Sequence, residues 1–206
     1  MDVKQTIFVI DDDEGVRDGL SLLLETVGQR YELFASAFEF LEAYDKSRRG
    51  CLVLDIRMPR MTGLDLQKEL IAMGSDLPII FITGHGDIPM AVEAMRLGAV
   101  DFIRKPFREY DLLDRINEAL NVDDTAYQQA MSRETLKQKV SALSDRELDV
   151  FERVAEGHMN KVIAADLGIS ERTVEVHRGQ VMKKLGVKTL AQLVRVKIES
   201  EMAAAS

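Results

Sequence analysis

Five short apolar runs, IFVI (7–10), YELF (31–34), CLVLD (51–55), PIIFIT (78–83) and DFIR (101–104), punctuate the first half of the chain. Each is rich in Val, Ile, Leu or Phe and bounded by turn or charged residues, which reads as strand rather than helix. The segments between them carry helical spacing. Val16, Leu20, Leu23 and Val27 fall at i, i+4, i+7 and i+11, Leu66, Leu70 and Met73 repeat the pattern, and so do Leu112 or Leu113, Ile116 and Leu120. Such an alternation predicts a doubly wound α/β domain, a five-stranded parallel sheet with helices on both faces. Ligands in that architecture bind beyond the carboxyl ends of the strands.

Charged and polar residues collect at those ends. The first run leads directly into Asp11, Asp12, Asp13 and Glu14. Four adjacent like charges repel one another, so they require either a positive charge among them or a helix N-terminus to cap. Asp55 closes the third run, Thr83 the fourth, and Lys105 follows the fifth, just before Pro106. The sheet therefore gathers Asp11, Asp12, Asp55, Thr83 and Lys105 at one rim. Carboxylates in this setting suit a hard cation such as Mg²⁺, which prefers oxygen ligands and uses one or two protein carboxylates. A hydroxyl and an ammonium beside them meet the needs of a phosphoryl group on Asp55, whose oxygens must be neutralised from several sides.

Length and composition add limits. A chain of 206 residues, 46% hydrophobic, is long enough for two modest domains. The single cysteine, Cys51, excludes an internal disulfide and reads as a buried strand residue. No basic-then-apolar leader opens the chain, and no apolar run approaches the roughly 20 residues needed to span a bilayer. A soluble cytoplasmic protein with no membrane partner is expected. Net charge is uneven. Residues 1–143 hold 17 Lys+Arg against 25 Asp+Glu, residues 144–206 hold 10 against 10, and residues 172–197 carry seven basic side chains and only Glu175 as an acid. This local positive excess points to an anionic partner for the second part.

Residues 122–142 lack Gly and Pro and place Tyr127, Met131, Leu136 and Val140 at irregular helical intervals, which predicts a helical linker rather than a coiled coil. SDRE at 144–147 then reads as a capping box opening a new helix. Its apolar face is expected at Leu148, Phe151, Val154 and Ala155, ending at Gly157. A second helix stops at Gly168, and a third, capped by Ser170, stops at Gly186. Helix, short turn, helix with Val174, Val181 and Leu185 inward and Arg172, Glu175, Arg178, Gln180 and Lys183 on other faces matches a DNA-binding helix-turn-helix.

The words VIDDDE, LVLDIRMPRMTG, IFITGHGD and DFIRKPF, in that order, resemble the receiver domain of two-component response regulators. The resemblance implies a flavodoxin-like fold over residues 1–121 and Mg²⁺-dependent transfer of a phosphoryl group from a sensor histidine kinase to Asp55. It implies that Asp12 holds the metal directly, Asp11 through water or indirect contacts, and Arg57 through its backbone carbonyl. Thr83 would move to meet the phosphoryl oxygens and Lys105 would pair with them. Phe102 occupies the aromatic switch position, where many receivers have tyrosine. Arg57 and His85 would flank the phosphoryl group and set its lifetime.

LSDRELDVFERVAEG, NKVIAADLGISERTVEVHRGQVMKKLGVKT and LAQLVR are similar to the all-α, four-helix LuxR/NarL-type helix-turn-helix domain, here residues 143–206, and the whole chain is most similar to FixJ-like regulators. By position, Glu175, Val176 and Gly179 would face base edges of double-stranded DNA. Lys161, Thr173, His177, Arg178, Lys184 and Lys188 would contact its backbone, with phosphorylation driving a homodimer onto the promoter. Some relatives have lysine where this chain has Glu175 and Gly179, and a carboxylate would accept from cytosine N4 where lysine donates to guanine. Two other classes compete. A haloacid dehalogenase-type hydrolase needs a second Asp two residues after its nucleophile, and position 57 is Arg; a protein-binding adaptor would lack the positive face. A phosphorylation-switched transcription regulator, not an enzyme, is the expectation.

Overall fold

The computed structural model describes residues 4–84 and 88–204, with the last two of these described for their backbone alone. Two compact units divide the chain between Tyr127 and Gln128. In the first, strands β1 (Thr6–Ile10), β2 (Tyr31–Phe34), β3 (Gly50–Asp55), β4 (Ile79–Thr83) and β5 (Asp101–Arg104) form one parallel sheet in the order β2-β1-β3-β4-β5. Helices α1 (Glu14–Thr26), α2 (Ala37–Ala43), α3 (Gly63–Ala72) and α4 (Ile88–Arg96) connect them, and α5 (Glu109–Ser141) follows the last strand.

Strand residues alternate between two cores, as period-2 geometry demands. Phe8, Ile10, Leu52, Leu54 and Phe81 pack one face with Phe34, Phe40 and Leu66. Ile7, Val9, Cys51, Val53, Ile80 and Ile82 pack the other with Leu20, Leu24, Leu112 and Ile116. Burial pushes the Cys51 thiol, with the charge of Asp123 adding to the effect, up to about 12. The helix faces depart in detail from the expected spacing. In α1 the buried pair is Leu20 and Leu24, while Val27 is exposed at the C-cap; in α3 Met73 is likewise exposed at the C-cap and Leu64 and Gln67 are buried instead. Helix α2 follows a Ser36 N-cap and is only seven residues long, too short to declare itself by periodicity.

Helix α5 runs unbroken for 33 residues, so the segment expected as a linker is continuous with the helix that closes the sheet. Nothing in 109–141 supplies a Gly or Pro stop. In the second unit, α6 (Asp145–Ala155), α7 (Asn160–Leu167), α8 (Glu171–Leu185) and α9 (Leu190–Ala204) surround a core of Val150, Phe151, Val154, Ile163, Val174, Val181, Leu185 and Leu193. Leu136, Val140 and Leu143 pack against that core. The capping box of Ser144 and Glu147 is present, and Gly168 and Gly186 end α7 and α8 in the left-handed conformation. One expectation is corrected: Leu148 is exposed, and Val150 takes its place on the inner face of α6.

Candidate functional site

The parallel sheet brings Asp11, Asp55, Thr83 and Lys105 to a common rim at the carboxyl ends of β1, β3, β4 and β5. The Nζ of Lys105 lies 2.6 Å from Asp11 Oδ2 and 3.2 Å from Asp55 Oδ1. Both carboxylates are buried, and so is Thr83. The Lys105 amide donates to the Thr83 carbonyl at 2.7 Å, which ties the β5 end to the β4 end. The Lys105–Pro106 peptide is cis.

The acidic quartet divides its work. Asp11 is buried and accepts from the Asp13 amide at 3.0 Å, whereas Asp12 is exposed at the rim. Asp13 caps α1, its Oδ1 accepting from the amides of Gly15 and Val16, and Glu14 occupies the first turn. These two acids answer the positive helix N-terminus, leaving Asp11 and Asp12 for the rim. Arg17, one turn into α1, donates to the Asp11 carbonyl at 2.7 Å. Sequence reading missed that contact, since only its position on the first turn after the cap hinted at it.

Asp55 Oδ2 accepts from the Arg57 amide at 2.8 Å, a turn that folds the following loop back over the strand end. Gly63, the first residue of α3, packs on the same spot. Its amide donates to the Ile56 carbonyl at 2.9 Å, and a Cβ there would sit 2.3 Å from the Asp55 carbonyl oxygen. Only glycine permits that approach. Burial raises the Asp55 pKa, the charge of Asp11 adds to it, and the Lys105 ammonium and the Arg57 amide work against it. For Lys105 burial is the largest single influence and opposes its charge, yet the hydrogen bond and charge of Asp11 and those of Asp55 together carry its pKa above the ordinary value.

A divalent cation fits this donor set. The available ligands are all oxygens, from Asp11, Asp12, Asp55 and the Arg57 carbonyl, as Mg²⁺ prefers. Among the described residues no group of three or more His, Cys, Asp or Glu side chains is placed to hold a metal ion. Phe102 sits half-buried on β5, in register with Phe81 and packed against the core cluster on that face. His85 lies outside the described residues.

In the second unit, α8 exposes Glu175, Val176 and Gly179, while Thr173, His177 and Arg178 are half-buried. The Thr173 hydroxyl lies 2.8 Å from the Ser170 hydroxyl at the N-cap. Arg178 donates to Asn160 Oδ1 at 3.3 Å, linking α8 to α7. Lys161 and Lys188 are exposed on the surface. Lys184 is differently occupied: its ammonium meets Glu147 Oε2 at 2.6 Å and the Ala142 carbonyl at 3.2 Å. That pairing, with the Ser144 amide, holds the Glu147 carboxyl down at about 2.

Comparison with known proteins agrees with both halves of this description. The family model "Response regulator receiver domain" matches residues 7–117, and "Bacterial regulatory proteins, luxR family" matches residues 141–197. The chain is 47% identical to the response regulator protein TmoT of Ectopseudomonas mendocina, over 95% of this chain and 89% of that protein. It is 44% identical to the transcriptional regulatory protein FixJ of Azorhizobium caulinodans, over 97% and 94%. Among solved structures, the response regulator StyR aligns with a TM-score of 0.86 at 47% identity, covering 95% of this chain and 99% of that one. Full-length FixJ from B. japonicum aligns at 0.60 and 42%, covering 97% and 98%.

The fold and the acid-lysine rim thus define a receiver coupled to a helix-turn-helix domain. The chain belongs to the two-component response regulators of the FixJ-like type, DNA-binding transcription regulators controlled by phosphorylation. Among the described residues no helix is long and apolar enough to cross a membrane.

Proposed function

We propose that a sensor histidine kinase transfers a phosphoryl group to Asp55 and that the phosphorylated chain dimerises on double-stranded DNA to control transcription in the cytoplasm. The observation that carries this reading is the Lys105 ammonium held between Asp11 and Asp55 at the strand ends. In the transfer, the P–N bond of the kinase phosphohistidine breaks as a P–O bond forms to an Asp55 carboxylate oxygen, and the released imidazole takes a proton from water. Asp12, Asp55 and the Arg57 carbonyl would hold Mg²⁺ directly and Asp11 indirectly, and the ion would supply positive charge against the transferring oxygens.

Lys105 already has its charge at the site and needs only to exchange a carboxylate oxygen for a phosphoryl oxygen. Thr83 offers its hydroxyl from the neighbouring strand end, and that differential interaction favours one arrangement of the surrounding loops. Phe102 follows by repacking on β5, with no hydroxyl to anchor either position. Arg57 and His85 control access of the hydrolytic water. Thr173, Glu175, Val176, His177, Arg178 and Gly179 of α8, with Lys161 and Lys188, face the duplex. The output is transcriptional, not catalytic.

Incubating wild type and Asp55→Asn with a small-molecule phosphodonor, weighing the products and sedimenting them tests the reading. The expected result is a Mg²⁺-dependent mass increase and a dimer in the wild type alone. Equal labelling of Asp55→Asn, or equal labelling in EDTA, overturns it.

A further inference from the structure

At the amino-terminal ends of β4 and β5, opposite the strand ends that carry Asp55, the first unit holds a cavity of about 190 Å³. Its buried members are Gln67 and Leu70 of α3 with Pro78 and Ile79 at the start of β4, and its exposed members include Ile71, Asp76 and Val122. The deep part is therefore aliphatic apart from one amide, and the mouth carries one carboxylate. An apolar cavity of roughly 150 Å³ takes up benzene, so this one has room for a six-membered ring with a small substituent.

Other polar groups around the cavity are already occupied. The Pro78 carbonyl accepts from the Leu52 amide at 2.8 Å, the Ile79 carbonyl from the Val100 amide at 2.8 Å, and the Ser75 hydroxyl from the Leu77 amide at 3.3 Å. Gln67 is the exception. It is 1% exposed, and its Nε2 donates to the Ala94 carbonyl of α4 at 3.1 Å; that carbonyl can only accept, so the amide cannot be reversed. Its Oε1 is sealed from solvent and receives no hydrogen bond, the one buried side-chain acceptor in that state among the described residues. The Ala94 carbonyl also accepts from the Ala99 amide at 3.1 Å, so α4 does not need Gln67 to satisfy it. A buried acceptor without a donor costs free energy that an incoming donor returns. Leucine or methionine would fill the same space without that cost, so packing alone does not account for the glutamine.

The chemistry of a partner for Oε1 is narrow. It must donate, since a carbonyl oxygen can only accept. An anion would meet the Asp76 carboxylate at the mouth, and a cation would shed its water beside a neutral amide and aliphatic side chains. We propose that this cavity binds a small neutral alcohol or phenol, with its ring packed against Leu70 and Ile79 and its hydroxyl donating to Gln67 Oε1. Because Oε1 is covered, the side chains over it part as the hydroxyl enters. Occupation then links the bound molecule through the Gln67 amide to α4. Phosphorylation of Asp55 is not required for it.

Titration of the full chain with phenol, followed by calorimetry and by backbone amide resonances, tests it, with methoxybenzene as a probe of the same ring and no donor. Phenol is expected to bind saturably at one site with a dissociation constant of about 1 mM, as suits so few atoms, and to shift resonances at 67–79 and 94–100. Methoxybenzene binds about tenfold more weakly. Gln67→Met removes the acceptor and binds the two probes alike. Val122→Phe, at an exposed helix position that leaves the core untouched, narrows the mouth and weakens both probes severalfold. No saturable phenol binding up to about 10 mM, or shifts centred away from these segments, overturns the site. Equal affinity of the wild type for both probes, or a preference for phenol that survives in Gln67→Met, overturns the role of Oε1. Unaltered phenol binding in Val122→Phe puts the molecule outside the cavity and overturns the proposal even where Gln67→Met fails to fold.

Discussion

The guanidinium of Arg49 lies 2.9 Å from the carboxylate of Asp123, joining the residue before β3 to a helix 74 positions further along the chain. Asp123 also accepts from Gln5 Nε2 at 2.7 Å, Asp124 takes a second bond from Arg49 at 3.1 Å, and the Arg49 Cζ lies 3.7 Å from the centre of the Tyr127 ring. This cluster lies at the amino-terminal ends of the strands, away from Asp55. It fixes the turns of α5 just past residue 120 to the sheet. Both partners are largely buried, and removing one leaves the other uncompensated. Arg49→Ala or Asp123→Asn should destabilise the first unit by about 2–3 kcal/mol, read from urea unfolding. Amide exchange over 122–127 should rise in both variants, and unchanged exchange would show that helix propensity alone holds this segment.

Gly63 supplies a sharper test of how Asp55 is held. A methyl group at this position would press 2.3 Å from the Asp55 carbonyl oxygen and 3.1 Å from Ile56 Cα, both backbone atoms that cannot rotate away. Gly63→Ala should therefore cost about 1–3 kcal/mol as overpacking. It should also slow phosphorylation of Asp55, because the strand end must shift. Normal stability with normal labelling would mean the loop of residues 56–62 yields without disturbing the acceptor.

Much of this was legible in the sequence for a physical reason: strands buried on both faces are short, uniformly apolar and sharply bounded, and the residues at their ends inherit the site. The rim at Asp11, Asp55, Thr83 and Lys105 follows from that rule alone. What sequence could not provide were pairings between distant positions. Lys184 sits among basic residues that look alike, and only the approach of Glu147, 37 positions earlier, distinguishes it. Helix α2 is too short for periodicity to mark. The end of α5 was invisible because no stop residue separates its two halves, and its later half is defined by Leu136 and Val140 packing against a different core.

The pairing of Glu147 with Lys184 has a pH signature. The Glu147 carboxyl stands at about 2 in the folded protein, held by the Lys184 ammonium first and the Ser144 amide second. Its unfolded value is about 4.3. A carboxyl with a depressed folded pKa contributes stability that is complete above the unfolded value and is lost as pH falls toward the folded one. Thermal melts of the second unit's helices should therefore weaken between about pH 4.5 and pH 2. Glu147→Gln should lower stability at pH 7 and flatten that acid dependence, whereas Lys184→Met should do the same while leaving Ser144 capped. An acid profile identical in wild type and Glu147→Gln would assign the loss to other carboxylates.

At the proposed Mg²⁺ site, Lys105 and the cation would compete for the same oxygens. The ammonium lies within 3.2 Å of both Asp11 and Asp55, so in the metal-free receiver it already neutralises part of the charge a cation would bind. Lys105→Met removes that competitor without removing the stem of the side chain. It leaves two buried carboxylates facing each other without a counter-charge, and like charges in a poorly hydrated site repel strongly. The variant should be less stable than wild type in EDTA, by roughly 1–3 kcal/mol. Added Mg²⁺ should restore much of that loss and should bind severalfold more tightly than to wild type, because ligand binding to the folded state alone stabilises by mass action. Calorimetric titration of Mg²⁺ into both proteins, paired with urea unfolding at fixed Mg²⁺, measures the two effects together. Weaker Mg²⁺ binding in Lys105→Met would show that the lysine positions Asp11 and Asp55 for the metal rather than competing with it.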